Sequence, residues 1–122
     1  IGSRFVCTPE ASSHQNFKEA IIQANEGDTM LHLKKTVPVR LLKNKFADTI
    51  KEAEDKGATA EELNEILGRA RAKKGMFEGD MQEGELEIGQ VSSIIHEIKP
   101  AAEIVQEIWN EFYTTLQNPL TL

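Results

Sequence analysis

The sequence has little of several things that small proteins commonly rely on. It has a single cysteine, Cys7, which excludes an internal disulfide and any multi-cysteine metal centre and fits a reducing cytoplasm. Positive charge is short as well. Fourteen Lys and Arg face twenty Asp and Glu, a formal net charge of −6, which argues against general nucleic-acid binding. No run approaches the roughly 18 apolar residues of a membrane span, and no signal-peptide pattern is present. Hydrophobic residues make up 39% of 122 positions, enough for one small domain with a modest core. Catalytic motifs are missing too: no Gly-x-Ser-x-Gly elbow, no Walker loop, no His-Glu-x-x-His and no Cys/His pair at an obvious spacing. No metal site and no catalytic residue can be assigned.

What is present reads mainly as helices, with one or two short strands. Ile1-Gly2-Ser3-Arg4-Phe5-Val6 reads as a strand end entering a tight turn at Gly2-Ser3. A strand end needs neighbours, so this stretch suggests a piece of a larger protein. Small residues in such a turn bare backbone N–H groups that can cradle an anion, but Gly-Ser alone is a very weak signal of this, and a plain turn is the main reading. Ser12 or Ser13 is expected to cap a helix whose face is Phe17, Ala20, Ile21 and Ala24, with Gly27 ending it and His14 solvated in its first turn. Residues 28–35 alternate Thr29/Leu31/Leu33 against Met30/His32/Lys34, the period of a half-buried strand. Val37-Pro38-Val39-Arg40 is expected to break it, with Leu41 starting a helix that Gly57 closes. Arg40 suits a structural ion pair, or a contact to substrate.

Thr59 and Glu62 form a capping box ahead of the stripe Leu63, Ile66, Leu67 and Ala70. Arg69, Arg71, Lys73 and Lys74 are expected in the last part of that helix, where cations suit its dipole; a docking patch for an acidic protein or a phosphate is the other reading. A glycine-punctuated loop, 75–84, holds Met76, Phe77 and Met81, which ought to be tucked under neighbouring helices. Glu78, Asp80, Glu83, Glu85 and Glu87 lack the order of a calcium loop and read as a solvated acidic segment. Pro100 opens a long terminal helix to about Gln117, with a broad stripe of Ile104, Val105, Ile108, Trp109, Phe112 and Leu116, and Asn118-Pro119 to stop it.

The stretch from Gly84 to Val105 organises the rest. Gly89-Gln90 leads through Ile95-His96-Glu97-Ile98-Lys99-Pro100-Ala101-Ala102-Glu103-Ile104-Val105 into the last helix. Gly89 suits a positive φ or a close approach to a ligand. This run resembles the C-terminal signature of the flavin-dependent nitronate monooxygenases (2-nitropropane dioxygenases) and of their sister enzymes, the enoyl-[acyl carrier protein] reductases II. Gly2-Ser3-Arg4-Phe5 is similar to the family's Gly-[Thr/Ser]-Arg-Phe at the last barrel strand, and 38–46 is similar to its Pro-x-Arg-x-Leu-x-Asn-x-Phe run.

The resemblance implies the C-terminal part of a (β/α)8 (TIM) barrel flavoprotein with a helical extension: residues 1–27 as the last barrel strand end and its helix, residues 28–122 as a strand and the extension. It implies FMN, its phosphate held by Gly2 and Ser3, with Gln90 lining the flavin pocket and NAD(P)H as a further cofactor of the reductase branch. It offers Met76, Phe77 and Met81 a second role, as a lid over the flavin edge. The substrate would be a small nitronate or an acyl thioester. The family's catalytic histidine sits in a Gly-His-x-Gly loop that this sequence lacks, as it lacks the N-terminal flavin-binding strand and the glycine-rich loop after strand seven. That role does not pass to His14, His32 or His96. Since a barrel takes about 250 residues, the resemblance covers about the last third of such an enzyme. A different reading is a helical module that self-associates and catalyses nothing, since its apolar stripes would lack the cover of a barrel.

Overall fold

A computed structural model describes residues 1–118. Five helices and a two-stranded sheet follow in the order α1 (Gly2–Val6), α2 (Gln15–Ile22), β1 (Thr29–His32), β2 (Val39–Leu42), α3 (Lys45–Asp55), α4 (Ala60–Leu67) and α5 (Ala101–Gln117). A π-helical turn, Lys73–Phe77, and a 3-10 turn, Gln90–Ile94, lie between α4 and α5. None of the described helices is long and apolar enough to cross a membrane.

The hairpin sets the arrangement. β1 and β2 pair antiparallel, Thr29 opposite Leu42 and His32 opposite Val39. Successive residues of a strand point to opposite faces, and here the two faces serve two cores. Leu42 joins Phe17, Ile21, Leu86 and Ile95 in one cluster, whereas Leu41 joins Leu33, Phe46, Ile50 and Leu63 in the other. The outer edge of β2 is covered by residues 86–88. Leu42 N–H donates to the Leu86 carbonyl (2.9 Å), and Ile88 N–H to the Arg40 carbonyl (3.2 Å). Glu87 stands opposite Leu41 in an antiparallel bridge. These bonds carry the Gly84–Gln90 segment along the hairpin and deliver Gly89 to the start of α1.

Several expectations are corrected. Residues 2–6 form a short helix, not a strand end: no described strand pairs with them, and backbone groups without a ladder close on themselves. His14, not Ser12 or Ser13, caps α2, its Nδ1 accepting the Asn16 N–H at 3.1 Å. It is not merely solvated, because a Cβ at Gly79 would lie 2.5 Å from its ring. Residues 39–42 are a strand, so the helix expected from Leu41 begins at Lys45, capped by the Asn44 side chain on Ala47 N–H (2.8 Å). In β1 the expected inner face fails at Leu31, which is 39% exposed, while adjacent His32 and Leu33 are both buried. Leu33 has φ 56°, and that turn of the chain breaks the alternation.

The basic cluster lies beyond α4, which ends at Leu67 with Gly68 at φ 64° and Ala70 at φ 59°. Arg71 folds back over that end. Its Nε donates to the Leu67 carbonyl and its Nη2 to the Ile66 carbonyl, both at 3.0 Å, with the guanidinium 4.8 Å above the Phe46 ring. Lys73 and Lys74 pair with Glu78 and Asp80 at 3.5 and 3.3 Å. The cluster is therefore largely neutralised where it stands. The acidic segment is not uniformly solvated, since Glu85 is buried; burial first, then the neighbouring charge of Glu87, raises its pKa.

Met76 and Met81 pack against the first core as expected, whereas Phe77 is half exposed. Pro100 precedes α5 as its cap, not its first residue, and only Ile104 of the expected stripe is buried. Gly89 has φ −71°, so close approach and not handedness is its role. Pro119 lies outside the described residues.

Candidate functional site

Three segments distant in sequence meet at the start of α1. The Ser3 hydroxyl accepts the Gly89 N–H at 3.0 Å. A Cβ at Gly89 would stand 2.6 Å from that oxygen, so the contact requires glycine there. Two parts of the chain that the sequence marked separately, Gly2-Ser3 and Gly89-Gln90, are thus one place. Arg4 locks it from the other side, its Nη1 donating to the Glu97 carbonyl at 3.0 Å. The Lys99 N–H reaches the Cys7 carbonyl at 3.4 Å.

What this junction can do follows from its donors. As the oxygen of Ser3 accepts from Gly89, its own proton stays available to donate. The amides of Gly2 and Ser3 begin a helix, where intrahelical acceptors are lacking, and among the described residues neither donates to a turn or a side chain. Around Gly2 the space is open: an added Cβ would meet nothing within 4 Å. A hydroxyl and two amides without a described acceptor, next to open space at Gly2, are groups able to donate to an anion. Gln90 is exposed beside them. Two residues further on, Ser92 is buried with its hydroxyl unpartnered among the described residues.

A cleft of about 480 Å³ opens beside the junction, lined by Ser3, Val39, Arg40, Glu87, Ile88 and Gly89. The structural ion pair expected of Arg40 does not form among the described residues. Its Nη1 donates to the Thr29 carbonyl and hydroxyl at 3.3 and 3.2 Å. Within 4.0 Å of its guanidinium there is no carboxylate among the described residues. Glu87, read only as part of an acidic loop, also lines the cleft; its bridge to β2 depends on hairpin pairing that no local pattern announces. No group of three or more His, Cys, Asp or Glu is placed to hold a metal among the described residues.

Fold and site together define a mainly helical unit around a two-stranded hairpin, with the Ser3–Gly89 junction at one end. The nitronate monooxygenase family model matches residues 1–111, and the chain belongs to that family, which is generally flavin-dependent. Among solved structures, FabK from Thermotoga maritima is 32% identical, with a TM-score of 0.86 over 95% of this chain and 37% of FabK. A single-residue mutant of that FabK gives 31% identity and a TM-score of 0.78, over 95% of this chain and 34% of the mutant. The chain thus spans about a third of the length of these structures. No curated protein matches it.

Proposed function

We propose that this chain is the C-terminal, phosphate-holding part of an FMN-dependent oxidoreductase built on a (β/α)8 barrel. The observation that carries the reading is the Ser3–Gly89 hydrogen bond, which joins both motif ends beside open space and leaves a hydroxyl and two amides free to donate. In this reading Gly2 and Ser3 hold the FMN phosphate, and Gln90 borders the isoalloxazine. FMN, when bound, supplies hydride or electron transfer, and the protein supplies position and electrostatics. The chain contributes binding and orientation and no acid or base of its own. By itself it is inactive.

Likeness to FabK over 95% of the chain favours the reductase branch, an enoyl thioester reduced with NAD(P)H. The family model favours nitronate oxidation with oxygen as the second reading. The complete gene product, purified and checked for bound flavin, should oxidise NADH or NADPH only when a 2-enoyl thioester is added. Oxygen uptake with an alkyl nitronate, and none of the former, would select the second reading. A preparation with neither activity and no flavin would overturn both.

A further inference from the structure

Arginine 40 is half-buried and held in place, yet electrically unanswered. The Thr29 carbonyl and hydroxyl fix one terminal nitrogen, while Nε and the other terminal nitrogen donate to nothing among the described residues. A guanidinium keeps its charge at any pH the fold survives, and its planar fork suits two oxygens of one anion. Arg4 and Arg69 likewise have no carboxylate within 4.0 Å among the described residues, so what marks Arg40 is its hold by Thr29 and its place in the cleft. Its cleft is also the one that Ser3 and Gly89 border. Glu87 lines the same cleft without pairing with Arg40 within 4.0 Å, and its charge opposes any anion there, so the ligand's phosphate has to be met by the guanidinium fork directly.

We propose that Arg40 is a phosphate-recognition residue, receiving in this cleft a phosphate oxygen pair of a ligand whose bound position adjoins the Ser3–Gly89 junction. The proposal rests on the reading of that junction as facing a phosphate-bearing ligand. Two sources present this chemistry: the phosphate of FMN itself, or the phosphate of a phosphopantetheine thioester. Thr29 holds the fork, so the ordering cost is met before the ligand arrives.

The test follows the Arg40 Nε–Hε and Gly89 amide resonances of the ¹⁵N-labelled chain during titration with FMN, riboflavin and phosphopantetheine, at concentrations that register weak binding. Arg40→Met and Arg40→Lys are titrated alongside, with thermal melting as the check on folding. At least one phosphate ligand should shift both resonances. Its Kd should rise about tenfold in Arg40→Met and recover in part in Arg40→Lys, as expected when a charged hydrogen bond is lost. Riboflavin, without phosphate, should not distinguish wild type from Arg40→Met. A response to FMN assigns the flavin's own phosphate, and a response to phosphopantetheine the substrate's. Equal affinity of folded wild type and Arg40→Met for both phosphate ligands overturns the proposal, as does an unmoved Arg40 resonance. Ser3→Ala separates the two readings: if it weakens FMN while Arg40→Met weakens nothing, the junction holds a phosphate and only Arg40 is misassigned.

Discussion

Histidine 32 shows how one side chain can be held by geometry against its own chemistry. It is buried on the inner side of β1, with its Nδ1 3.5 Å from Glu54 of α3. Burial lowers its pKa, and the attraction of Glu54 recovers only part of the loss. Below about pH 6.5, the ordinary imidazole value, the unfolded chain therefore binds a proton that the folded one resists. Stability from this residue is full above that pH and declines as the pH falls through it towards the lower folded value. Denaturant melts from pH 7.5 to 5 should show the decline, and His32→Asn should flatten it; an identical slope in the variant would place the effect elsewhere. Gly89 is the second decisive residue. In Gly89→Ala the new methyl must displace Ser3, costing about 1 kcal/mol for the lost hydrogen bond. A melt matching the wild type would mean that the junction is loose. The sequence suggested a positive φ or a ligand contact at Gly89, but the partner that requires glycine there, Ser3, is 86 residues away and left no local trace.

Among the elements, those governed by local rules were legible. The capping box of α4 forms as written: Thr59 accepts the Glu62 N–H at 3.2 Å, and Glu62 takes the Thr59 N–H at 2.8 Å. Thr59→Ala should cost about 1 kcal/mol, measurable as a lowered melting point, and an unchanged one would show that α4 is held by Leu63 alone. Elements defined by pairing were legible only in part: the alternation at 28–35 marked β1, whereas no local pattern marked β2. Leu41-Leu42 reads as the start of a helix, but these residues pair with β1 and the helix begins only after the Asn44 cap. Glu87 joins β2 through a single bridge, too little to mark a strand in sequence. α1 carries β-branched and aromatic residues suited to a strand, and it is helical because nothing among the described strands pairs with it. The basic run at 69–74 reads as a helix end, but positive φ at Gly68 and Ala70 carries it past that end.

On the scale of the whole molecule, two cores meet across one strand, and the candidate site lies at the rim of the first. α5 presents Val105, Ile108, Trp109, Phe112 and Leu116 at 39–60% exposure, an apolar face larger than an isolated chain leaves open without consequence. The chain is expected to associate through it. Sedimentation should show a dimer or larger species that Trp109→Glu with Phe112→Glu converts to monomer; a wild-type monomer at high concentration would count against this. The account as a whole turns on the junction of Ser3 and Gly89, and one comparison tests it most directly. FMN and riboflavin, which differ by the phosphate alone, are titrated separately into the ¹⁵N-labelled chain while the amides of Gly2, Ser3 and Gly89 are followed. The account predicts weak binding in which FMN shifts these three amides and riboflavin does not. Equal shifts from both ligands, or none from FMN at millimolar concentration, would contradict it.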